Sequence, residues 1–103
     1  MRIALAQLNP LVGDFEGNAK RILEAVRRAE EQAVELVLTP ELSLWGYPPR
    51  DQLLEPSRIQ QQDVVLQWLV NQLNSSITLL VGAALPAADA RSPRLLNGVV
   101  LVN

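Results

Sequence analysis

Cysteine and histidine are both absent from the 103 residues, so the commonest catalytic nucleophile and the commonest general base are missing together. One carboxylate stands out: Glu41, in the stretch "LTPELSLWGYPPRD" over residues 38–51. It follows a short apolar run and a proline, whose missing N–H ends a hydrogen-bond ladder. In open α/β sheets, ligands gather outside the carboxyl ends of the strands, where Glu41 would sit. Leu42, Leu44 and Trp45 beside it would partly desolvate the acid, which suits a carboxylate to accept a proton. The same position also suits an exposed loop acid or a helix cap. The run Trp45–Gly46–Tyr47–Pro48–Pro49 stiffens the chain directly after it. Two prolines restrict the backbone, as a pocket wall or an interface requires. An ordinary proline-rich connection, with its aromatics packed on the core, has the same composition.

Other candidates carry less. Lys20 is the only lysine and lies among charges on a helical stretch, where a solvated face is expected. Asp14 and Glu16 stand at a helix start and read as cap and dipole partner. There is no GxGxxG and no GxxxxGK[ST] phosphate loop. No pair of acids has the placement for glycosidase or metal chemistry.

The elements that would position Glu41 are legible from periodicity. Ile3 to Leu8 reads as a strand buried on both faces. From Phe15 onward Ile22, Val26, Ala29 and Ala33 recur at helical spacing, with Glu24 and Arg28 paired on the outer face. Val34 to Leu38 is a second strand. Strand, helix and strand at this length predict a parallel βαβ unit. Ser57 is the expected cap of a second helix carrying Val65, Leu66, Leu69 and Leu73. Ile77 to Leu85 and Leu95 to Val102 are further strands, with Asn97–Gly98 opening the last one. The class is α/β. Two helices can cover only one side of four strands. The expectation is therefore the first part of a larger domain, or a second layer supplied by a partner.

Nearly half of the residues are apolar and the net charge is −2, which fits a globular domain without a basic face for nucleic acid. The apolar runs are too short to span a bilayer, and the start lacks a signal-peptide pattern. A cytoplasmic location is expected.

With Glu41 and its loop in view, the chain resembles the nitrilase (carbon–nitrogen hydrolase) superfamily. The resemblance rests on "RIALAQLNPLVGDFEGNAKRI", "VELVLTPELSLWGYPP", "GAALP" and "LLNGVVLV", and covers essentially the whole chain. Within that superfamily, "PELSLWGYPPRDQLL" looks most like the glutaminase domain of the glutamine-dependent NAD synthetases. The resemblance implies that residues 1–103 are the amino-terminal part of a four-layer α-β-β-α sandwich, with no second domain present. It implies a Glu–Lys–Cys triad in which Glu41 is the general base toward a cysteine thiol. The lysine and cysteine would follow the strand that "NGVVLV" resembles, so this polypeptide alone is expected to be inactive. Tyr47 would line the glutamine pocket or meet a neighbouring domain, unless it packs in the core. ATP, magnesium and deamido-NAD would belong to a synthetase domain, with no cofactor held here. A homo-oligomer is implied at full length. A piece of another amidase of the superfamily, or a non-catalytic binding module, is the alternative.

Overall fold

The computed structural model describes residues 1–46, 56–73, 76–86 and 95–102. The elements in chain order are β1 (Ile3–Leu5), α1 (Phe15–Glu31), β2 (Leu36–Leu38), α2 (Pro56–Gln72), β3 (Thr78–Pro86) and β4 (Leu95–Val102). They form a four-stranded sheet in the order β1-β2-β3-β4. β1 and β3 flank β2 in parallel, as the βαβ pattern predicts, and β4 returns antiparallel to β3.

Local chemistry sets the ends of the helices. Asp14 caps α1, its side chain accepting a hydrogen bond from the Gly17 N–H at 3.0 Å. α1 stops at Glu31, short of the expected Ala33. Ala33 takes a left-handed conformation (φ 58°), and the Val34 and Ala33 N–H groups bond back to the Ala29 and Glu30 carbonyls. That is a Schellman ending, with alanine where glycine is usual. α2 begins at Pro56, one residue before the expected cap, so Ser57 lies inside the helix. A proline fits the first helical position because its missing N–H would have had no partner there.

The strands differ from expectation in length and cover. β1 ends at Leu5 instead of Leu8, and the Ala6 N–H makes one more bond, to the Leu38 carbonyl. β2 is itself only three residues long, so the chain after Ala6 has no ladder to join. Asn97 and Gly98 sit within β4, opposite Ala84 and Ala83, rather than opening it.

One face of the sheet carries the core. Ala4, Val37, Leu79 and Val102 stand in register across all four strands, and the last three are buried. Ile22, Val26 and Ala29 of α1 and Leu69 of α2 belong to the same core cluster. On the opposite face Leu5, Leu38, Leu80 and Leu101 form a second row in register. There Ile3 is 55%, Leu5 69%, Val99 59% and Leu101 61% exposed, so β1 is not buried on both faces. Both helices have settled on one side, as their number required.

Candidate active site around Glu41

β2 ends at Leu38, and the chain turns over residues 41–45. Leu42 adopts a positive φ of 47°, rare for a bulky residue. Its carbonyl accepts from both the Trp45 and Gly46 N–H groups at 3.0 Å, closing the turn. The turn sends Leu42, Ser43, Leu44 and Trp45 inward, where all are buried, and leaves Glu41 exposed. The expected desolvation of Glu41 by its apolar neighbours does not occur in this chain, because those neighbours face the core. Glu41 instead borders a cleft of about 310 Å³, lined also by Thr39, Pro40, Gly82, Gly98 and Val99. The cleft lies just beyond the carboxyl end of β2, the position expected for a ligand site.

Three sets of contacts hold the turn. The first comes from β3. Thr39 Oγ1 donates to the Leu80 carbonyl at 3.1 Å and accepts from the Gly82 N–H at 3.0 Å. The Ser43 N–H donates to the Gly82 carbonyl at 3.2 Å, and Ser43 Oγ lies 2.9 Å from Thr39 Oγ1. Gly82 is needed for this approach: a Cβ there would overlap the Pro40 carbonyl oxygen and come within 2.8 Å of the Leu42 nitrogen.

The second set comes from α1. The buried Asn18 amide donates to the Leu44 carbonyl at 2.9 Å and to the Leu11 carbonyl at 2.8 Å. Its oxygen accepts from the Leu11 N–H at 2.9 Å. The Gly13 N–H adds a bond to the Trp45 carbonyl. Gly46 (φ 79°) closes against the same segment, and a Cβ there would stand 2.6 Å from the Val12 nitrogen.

The third comes from α2 and the core. The Trp45 indole N–H donates to Gln62 Oε1 at 2.7 Å, and the indole packs edge-on against Phe15 at 4.8 Å between ring centroids. A buried aromatic with a satisfied N–H is a firm anchor. Asn18, Ser43 and Gln62 escaped the sequence reading, since a polar residue on a helix or in a loop usually faces water.

The remaining sequence candidates fall elsewhere. Lys20 is exposed and pairs with Glu16 at 3.1 Å, as expected of a solvated face. Tyr47, with the rest of the "YPPRD" segment, lies outside the described residues. Among the described residues no three acidic, histidine or cysteine side chains gather as a metal site, and no helix is long and apolar enough to cross a membrane.

The fold has known counterparts. A glutamine-dependent NAD(+) synthetase from Synechocystis sp. is 45% identical over 103 residues, covering 97% of this chain and 18% of that protein. The chain thus spans about a fifth of the length of that relative. The crystal structure of a glutamine-dependent NAD(+) synthetase from Cytophaga hutchinsonii superimposes with a TM-score of 0.87 at 28% identity, over 99% of this chain and 17% of that one. A mutant amidase from Nesterenkonia sp. AN1, with an acetamide moiety added covalently at its active site cysteine, superimposes with a TM-score of 0.72. It is 33% identical and covers 82% of this chain and 32% of the amidase. The carbon-nitrogen hydrolase family model matches residues 2–103, nearly end to end and across the whole Glu41 turn. The chain belongs to the carbon–nitrogen hydrolase family.

Proposed function

We propose that this chain supplies the glutamate-bearing part of the glutamine-hydrolysing domain of a glutamine-dependent NAD synthetase. The observation that carries this reading is the fixed turn that presents Glu41 at the cleft beyond β2, in a chain whose nearly full length resembles such a synthetase. Glu41 acts as general base: its carboxylate accepts the proton of a cysteine thiol, and the thiolate attacks the side-chain amide carbon of glutamine. Ammonia leaves, and water then hydrolyses the thioester. A lysine stabilises the oxyanion of the tetrahedral intermediate. Neither partner comes from these residues. The sequence has no cysteine, and its single lysine, Lys20, pairs with Glu16 on α1. The polypeptide by itself is therefore inactive.

The released ammonia would serve the ATP-dependent amidation of deamido-NAD. ATP and magnesium do not fit the residues described here, which offer neither a phosphate loop nor a metal-binding cluster. No step through them is assigned to this chain. A cytoplasmic, homo-oligomeric enzyme goes with this reading. The likeness to the Nesterenkonia amidase favours a second one, in which the same glutamate serves a free-standing amidase.

A chimaera tests the proposal. This chain replaces the matching segment of the Synechocystis synthetase, and NAD formation is measured with glutamine and with ammonia as nitrogen donor. Both donors are expected to work. Glu41→Gln should lower the glutamine-dependent rate by about 100-fold or more, the contribution of a general base, and spare the ammonia-dependent rate. An unchanged glutamine-dependent rate in Glu41→Gln would remove Glu41 from the role of base.

A further inference from the structure

The Gln62 side chain has the features of a built part. It is 2% exposed on α2, a helix whose other glutamines at 60, 61, 67 and 72 are exposed. Its carbonyl oxygen accepts two hydrogen bonds, from the Trp45 indole at 2.7 Å and from the Ala84 N–H at 2.8 Å. Its amide nitrogen donates to the Ala84 carbonyl at 2.8 Å. One side chain thus joins α2, β3 and the far end of the Glu41 turn. Burying an amide is costly unless it is satisfied, and this one is satisfied on both sides.

The geometry beside it needs such a clamp. Leu42 holds a positive φ of 47° next to Glu41, and a strained residue persists only where its surroundings over-determine it. The near end of the turn is pinned by Thr39, Ser43 and Gly82. At the far end the backbone is tied to Asn18 of α1 through Leu44 and to Gly13, just before α1, through Trp45, and the Trp45 side chain is tied to Gln62. We infer that Gln62 is a positioning residue for Glu41: by locking the Trp45 indole to Ala84, it fixes the turn that aims the carboxylate into the cleft. This inference rests on the proposed role of Glu41.

Gln62→Met tests it, since methionine keeps the length of the side chain and loses all three hydrogen bonds. Gln67→Met, at an exposed position on the same helix, is the control. In the chimaera described above, Gln62→Met is expected to lower kcat with glutamine by about tenfold or more, with KM within about twofold, because a misaimed base slows the chemical step and not binding. The ammonia-dependent rate stays unchanged. Hydrogen exchange over residues 39–46 accelerates by about tenfold, while residues 19–29 of α1 keep their protection. Equal loss of protection in both segments, or a kcat equal to that of Gln67→Met, would overturn the inference. If Gln62→Met does not fold, Trp45→Phe replaces it. That variant removes the indole N–H together with part of the buried ring and leaves the Gln62–Ala84 bonds, and the same split between kcat and KM is required of it. If the unmutated chimaera lacks glutamine-dependent activity, the reading of Glu41 as base fails. The exchange pattern then decides by itself whether Gln62 holds the turn.

Discussion

At the scale of single residues, Glu41 was visible in the sequence and its supports were not. A carboxylate after an apolar run and a proline announces a strand end, because proline stops the ladder. Nothing in "ELSLW" announces that Leu42 takes a positive φ, since leucine is a poor candidate for that region. Nor does the sequence separate Gln62 from the exposed Gln61 beside it. Burial of a glutamine depends on what the opposing strand presents, here both backbone groups of Ala84. Gly82 was equally silent, as its need is steric and arises only when β3 meets the turn. It gives a direct test. In Gly82→Ala the new methyl group would meet the Pro40 carbonyl and the Leu42 N–H, backbone atoms that cannot swing aside as a side-chain tip can. Overpacking of this kind costs about 1–3 kcal/mol, and urea unfolding of the variant should show a loss in that range. Ala83→Gly, one residue away and on the other face of β3, removes a buried methyl group but leaves the Glu41 turn in place. Exchange over residues 39–46 should therefore rise in Gly82→Ala and not in Ala83→Gly.

At the scale of elements, the type of each was legible and the ends were not. Helical spacing over α1 and the apolar runs of β3 and β4 are long patterns, and long patterns survive local noise. Ends depend on partners. β1 stops where β2 stops, a fact about pairing that no run of apolar residues in β1 can carry. The end of α1 was missed for a different reason. A Schellman ending is normally signalled by glycine, and this one uses Ala33. Ala33 is exposed, so its methyl group contributes little packing. A left-handed conformation costs an L-residue about 1–2 kcal/mol, and glycine avoids that cost at the expense of about 0.5–1 kcal/mol of extra chain entropy. Ala33→Gly is therefore expected to stabilise the fold by about 0.5–1 kcal/mol, read as a higher urea midpoint at constant m-value. The substitution lies at the opposite end of the β1–α1–β2 unit from Glu41. It should leave the glutamine-dependent rate of the chimaera unchanged.

At the scale of the whole molecule, the sequence predicted the asymmetry of the sheet by counting. Two helices were available for four strands, and the structure places both on the face of Val37 and Leu79. The other face presents Leu5, Leu38, Leu80 and Leu101 in one row, flanked by Ile3 and Val99. Contiguous apolar surface of this kind is uncommon on monomers and drives association when nothing covers it. Charged residues do not interrupt this row, and among the described residues β1 and β4 are the edge strands of the sheet, where backbone groups can pair with another chain. The polypeptide by itself is therefore expected to associate at micromolar concentration in sedimentation velocity. Leu5→Lys combined with Leu101→Glu should shift the population toward monomer with little loss of fold. Both side chains are more than half exposed, so the charges enter water and not the core. The chimaera separates this from a general defect. There the same two charges would be buried wherever the rest of the domain packs against the leucine row, and an unpaired buried charge is strongly unfavourable. The double variant should thus improve the behaviour of the short chain and impair folding of the chimaera. A monodisperse unmutated chain, or a chimaera indifferent to both charges, would mean that the leucine row faces water in the working protein as well.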